Sequence, residues 1–170
     1  DDAAVGRYST HYALGSLLTF LFGPLQTTLI PRVNQMWDED TPGAIQTLET
    51  SMRVYVLVAL PAIAGIGALA EPILAVMTNK EVAEGSRLST LFIAAGVATW
   101  GFSILVSSVF YANKETKIVS LYTMLTAALN LGLNVLLVPR IGILASGLVT
   151  LVSYAATCVA FGLRALRRRL

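Results

Sequence analysis

LSTLFIAAGVATWGFSILVSSVFY, residues 88–111, decides how this chain folds. No Asp, Glu, Lys or Arg interrupts it. A helix that crosses a bilayer needs roughly 20 mainly apolar residues, because the hydrocarbon core is about 30 Å thick and each residue rises 1.5 Å. In lipid the backbone amides have no water to bond, so a segment of this length closes its hydrogen bonds internally, as a helix. Four more stretches of the same kind flank it: residues 12–30, 54–70 with an extension to about 77, 119–138 and 143–163. The expectation is an all-α, polytopic transmembrane helical bundle of about five spanning helices. It is read as one transmembrane domain, residues 1–170, with spans at about 12–30, 54–77, 88–111, 119–138 and 143–163.

Composition agrees. Of 170 residues 55% are hydrophobic and 13% charged, against about 25% charged in a soluble domain; mean hydropathy is +0.70. A net charge of +2 with no basic stripe predicts no nucleic-acid partner. Cys158 is the sole cysteine and His11 the sole histidine, so neither a disulfide framework nor a metal cluster is expected. No phosphate loop, nucleophile elbow or dinucleotide fingerprint occurs, which predicts neither catalysis nor a cofactor.

Charge sets the expected topology. Arg32, Arg53, Lys114, Lys117, Arg164, Arg167, Arg168 and Arg169 fall on one side of the five spans, and Arg7, Lys80, Arg87 and Arg140 on the other. Lys and Arg gather in cytoplasmic loops, so the C-terminus is expected inside and the first residues outside. Asp1-Asp2 opens the chain without an initiator methionine or a basic leader. The reading is therefore of a fragment that lacks its upstream helices. Pro31 and Pro139 are expected to end helices, and Glu71-Pro72 to mark an interface. Thr41 before Pro42 is the expected N-cap of a short cytoplasmic helix reaching Arg53.

Polar residues inside the spans form stripes at helical spacing. Thr123, Thr126, Asn130 and Asn134 share one face of the fourth span; Ser146, Thr150, Ser153 and Thr157 share one of the fifth; Gly96, Thr99, Ser103 and Ser107 share one of the third. Such stripes serve tight helix packing or line an aqueous cavity. In the first span Arg7, Tyr8, His11, Tyr12, Gly15, Thr19 and Gln26 fall within an arc of about 140°. They read either as interfacial anchors or as a partly cationic cavity wall for an anionic headgroup or sugar. Arg7, His11, Gln26, Asn130 and Asn134 are the candidate substrate-binding residues.

An ordered set of short motifs carries a resemblance. Val5-Gly6-Arg7-Tyr8-Ser9 is followed by Leu29-Ile30-Pro31, Leu60-Pro61-Ala62 and Ala70-Glu71-Pro72-Ile73-Leu74. The fullest match is the run Asn130-Leu131-Gly132-Leu133-Asn134, continuing through Val138-Pro139-Arg140-Ile141-Gly142-Ile143. Together they resemble the polysaccharide and lipid-linked oligosaccharide flippases of the multidrug, oligosaccharidyl-lipid and polysaccharide exporter superfamily. The resemblance implies most of the second lobe of a two-lobe transporter in the plasma (inner) membrane of a prokaryote. Its partners would be the lipid bilayer, a polyprenyl-pyrophosphate-linked glycan and the missing N-terminal lobe. The lipid II branch carries a cavity arginine in the first of these helices. Counted back from Pro31, its equivalent lies near Tyr12 with His11 beside it, which points to a capsule, O-antigen or similar glycan rather than lipid II. A cation-coupled multidrug exporter of the same superfamily and a non-transporting membrane scaffold are the alternative readings. A membrane glycosyltransferase would need an outer catalytic cluster, and only Lys80, Glu81, Glu84 and Arg87 lie there.

Overall fold

The structure, a computed structural model, describes residues 2–168, so Arg169 of the inner charge set lies outside the described residues. Among the described residues five helical runs are long and apolar enough to cross a membrane, as the composition requires. The first is a compound rod. It comprises α1 (Asp2–Gly15), a 3-10 turn (Ser16–Leu18), α2 (Thr19–Pro24), a π turn (Leu25–Leu29) and α3 (Ile30–Glu39). Then come α4 (Thr41–Met77), the short loop helix α5 (Lys80–Ala83), α6 (Ser86–Ala112), α7 (Thr116–Ile141) and α8 (Ile143–Arg168).

Of the two prolines expected to end helices, Pro31 does not, and Pro139 lies just inside the end of its helix. Pro31 sits in the first turn of α3, and the rod runs on through it to Glu39. The π turn explains why: the Ile30 N–H bonds the Leu25 carbonyl five residues back, so the ring of Pro31 does not meet a carbonyl held at i−4. Pro139 lies in the last turn of α7, which ends at Ile141 and is capped by Gly142. There φ is 77° and ψ −158°, a conformation open essentially to glycine alone.

The inner connection also departs from expectation. Asp40, not Thr41, caps α4: its carboxylate accepts the Gly43 N–H at 3.0 Å. Thr41 instead donates its hydroxyl to the Trp37 carbonyl. The short helix expected before Arg53 and the second span are one helix of 37 residues. Its length, about 56 Å, exceeds the hydrocarbon core, and it passes Glu71-Pro72 without a break to Met77.

The bundle is organised on α6, whose buried face carries Ile93, Ala94, Val97, Ala98 and Leu105. Small residues let neighbours reach its backbone. A Cβ on Gly96 would stand 3.1 Å from the Leu151 amide of α8, and one on Gly147 of α8 3.1 Å from the Ser89 carbonyl. These reciprocal glycines set the α6–α8 approach. On the other side Tyr55 of α4 donates its hydroxyl to the Ala98 carbonyl at 2.8 Å, a bond that satisfies a phenol at membrane depth. Helix α7 is the outlier: in its most apolar window only 6% of residues are buried, against 56% for α6. It packs mainly on α8, where the Thr126 and Thr157 hydroxyls bond each other.

Candidate functional site

The five residues singled out from the sequence occupy three separate places. Arg7 and His11 sit on α1 beside the α5 loop. An Arg7 nitrogen lies 2.5 Å from a Glu81 carboxylate oxygen. Arg7 is 40% exposed and Glu81 78%, so solvent screens the pair and holds its contribution to at most about 1 kcal/mol. The pair nevertheless neutralises the one cation of this wall.

His11 departs from the expected cavity wall, because it is buried. Its Nε2 lies 2.9 Å from the Val82 carbonyl, and since a carbonyl only accepts, Nε2 carries the proton. Nδ1 lies 3.2 Å from the Ser89 hydroxyl of α6. The ring thus ties α1 to both α5 and α6. Gly15, one turn on, is buried against Ile93, where a Cβ would stand 2.7 Å from Cγ2. At this depth the polar arc of α1 faces α6.

Gln26 is elsewhere. It is exposed on the π turn, 19 residues or about 28 Å along the rod from Arg7. An arc at a steady 100° per residue requires an unbroken α-helix, whereas 3-10 turns advance about 120° and π turns less. Phase is therefore not kept between Tyr12 and Gln26. The same irregularity undermines counting back from Pro31 to a single equivalent position near Tyr12.

Asn130 and Asn134 do come together. The Asn134 amide donates to the Asn130 carbonyl at 2.9 Å and to its side-chain oxygen at 3.0 Å. Both are half-buried on the side of α7 that turns toward α6 and α8, and they line a recess of about 360 Å³. Trp100 of α6 and Tyr154 of α8 form the opposite wall, their ring centroids 5.0 Å apart. Thr123 and Thr126 extend the polar lining along α7. The site therefore joins amides, hydroxyls and two aromatic faces, a set able to bond and stack on a polar ligand. Neither Trp100 nor Tyr154 stands out in the sequence as a site residue: helical spacing within one span cannot pair residues of two spans. Among the described residues no group of three His, Cys, Asp or Glu is placed to hold a metal ion.

The other stripes pack. Thr150, Ser153 and Thr157 of α8 and Ser103 and Ser107 of α6 are buried, and the Thr150 and Ser107 hydroxyls bond carbonyls of their own helices.

The comparisons with known proteins are consistent with this architecture. A family model described as "Lipid II flippase MurJ" matches residues 8–170. That is the branch the count back to Tyr12 had pointed away from. Among curated proteins, one from Haloferax volcanii named "Probable low-salt glycan biosynthesis flippase Agl15" is 22% identical over 156 residues. The match covers 91% of this chain and 33% of that protein, so the chain spans about a third of the length of its curated relative. No solved structure matches.

Proposed function

We propose a function from one premise: the chain belongs to the lipid II flippase MurJ family. It forms most of one lobe of a two-lobe membrane transporter, and the whole protein moves a polyprenyl-pyrophosphate-linked glycan across the plasma membrane of a prokaryote. The family match over residues 8–170 carries this reading. The five membrane-length helices fit it, and the coverage of a third of the Haloferax flippase leaves room for a first lobe. Both matches are to flippases, so the multidrug-exporter alternative is not favoured.

In this reading the two lobes rock about a polar path that opens to each face in turn. The Asn130–Asn134 recess supplies hydrogen bonds, and Trp100 and Tyr154 apolar faces, to the sugar portion as it passes. Gln26 adds a polar group nearer the inner end. Arg7 meets pyrophosphate only when its pair with Glu81 opens, because a paired cation has little field left to offer. His11 acts through position, holding α1 on the α5 loop. The inner end is cytoplasmic, as the Lys and Arg excess argues.

Substrate protection tests the reading. In the whole protein, a cysteine at Asn134 is expected to react with a water-soluble thiol reagent, and an added lipid-linked pyrophosphoryl sugar to slow that reaction. Labelling that ignores the lipid-linked sugar, while a hydrophobic drug cation slows it, would move the assignment to the exporter class.

A further inference from the structure

A second recess lies where the seam of α7 and α8 ends, at the opposite end of the bundle from the Arg7–Glu81 pair. It measures about 450 Å³ and is lined by Tyr122, Ala160, Leu163, Arg164, Arg167 and Arg168. Positions 164, 167 and 168 share one face of a helix, so three guanidiniums crowd together there. Arg168 is paired with Glu115 of α7. Arg164 and Arg167 form no ion pair among the described residues. The Arg164 Nε is buried with no hydrogen-bond partner. Clustered like charges and a buried N–H donor without an acceptor both cost free energy, and one bound anion relieves both.

The basic recess does not stand alone. A furrow of about 190 Å³ shares Tyr122 and Ala160 with it and continues along the same seam past Leu125, Leu129 and Ala156, its two threonines, Thr126 and Thr157, having their hydroxyls bonded to each other. From Tyr122 to Leu129 it runs about 10 Å toward the middle of the spans. A cationic pocket that opens into an apolar furrow matches a phosphate ester bearing a hydrocarbon chain; a free phosphate would leave the furrow empty. We propose that this seam is a binding site for an anionic phospholipid, its phosphate held between Arg164 and Arg167 and an acyl chain laid between α7 and α8. Arginine suits the task because its planar fork meets phosphate oxygens in pairs. The site requires only that the protein sits in a membrane, and is independent of what is transported.

Native mass spectrometry of the detergent-purified protein, titrated with phosphatidylglycerol or phosphatidylcholine, tests the site. Phosphatidylglycerol is expected to bind roughly tenfold more tightly, the scale of one hydrogen bond between charged groups. Arg164→Gln with Arg167→Gln should abolish that preference, Arg164→Lys with Arg167→Lys should keep part of it, and Arg140→Gln at the opposite end should leave it intact. Ala160→Phe, which fills the furrow, should weaken phosphatidylglycerol without affecting inorganic phosphate. Equal binding of the two lipids, or a preference that survives the double glutamine variant, overturns the proposal. Competition by inorganic phosphate alone at matching concentration overturns the lipid assignment. Displacement by polyprenyl pyrophosphate at far lower concentration overturns it too, in favour of a substrate site.

Discussion

Asn134 shows what a single residue does at membrane depth. An amide in lipid is costly unless its donors and acceptor are met, and Asn134 meets both donor needs on Asn130, one turn away. That leaves the Asn130 amide donors and the Asn134 oxygen toward the recess. Asn134→Leu is expected to leave the bundle folded, since α7 is scarcely buried, yet to lower transport by the whole protein about tenfold, the worth of one or two hydrogen bonds. Initial transport rates of the variant against wild type check this. His11 predicts the opposite pattern. His11→Ala removes the two hydrogen bonds by which this ring joins α1 to α5 and α6, leaving the Val82 carbonyl contact unmade and the Ser89 hydroxyl with only its longer bond to the Ser86 carbonyl. The expected loss is about 1–3 kcal/mol of stability, read as a lower unfolding midpoint. A cysteine at 11 should label far more slowly than one at 134. The sequence located both polar residues. It could not say which one faced a neighbour, because burial of a side chain on one span depends on which other span lies against it.

At the scale of elements, glycine decides more than proline. Pro31 and Pro139 read as stops, yet the rod continues through Pro31 to Glu39, and α7 ends two residues after Pro139. The break between α7 and α8 belongs to Gly142, whose φ of 77° and ψ of −158° suit no residue with a Cβ. Gly142→Ala is expected to cost about 1–3 kcal/mol, whereas Pro139→Ala should be close to neutral; thermal unfolding in detergent distinguishes them. Gly96 matters for a different reason. It lets α8 approach α6 backbone to backbone, so Gly96→Leu should force the two apart, cost about 3 kcal/mol or more, and lower the unfolding midpoint most of all. Spans were legible because absence of charge over a bilayer's length has one solution in lipid. Their ends were less so. The 3-10 and π turns of the first rod and the fusion of the inner helix into α4 depend on caps and local hydrogen bonds, which composition does not reveal.

For the molecule as a whole, charge and geometry separate the same two ends. Arg7 pairs with Glu81 at one, Arg168 with Glu115 at the other. That separation agrees with the sorting of Lys and Arg made from the sequence, and it predicts that reporters fused after residue 168 and inserted at Glu84 lie on opposite sides of the membrane. A common side for both would remove the topology and the transport geometry built on it. The membership of a flippase family was legible in the motifs from Val5 to Ile143. The recess was only half legible, since Asn130 and Asn134 stood out while Trp100 and Tyr154 needed the packing of three helices to join them.

The most direct measurement is transfer of a fluorescent polyprenyl-pyrophosphate-linked oligosaccharide between leaflets of proteoliposomes. Vesicles holding this chain joined to a first lobe are expected to expose the label to an impermeant quencher on the transport time scale. Vesicles with the 170 residues alone, lacking the second wall of the path, are expected to hold it in its starting leaflet. Transfer by the lone chain at the rate of the joined protein would contradict the two-lobe account. Failure of the joined protein to move any lipid-linked saccharide, with its topology intact, would contradict the assignment of function.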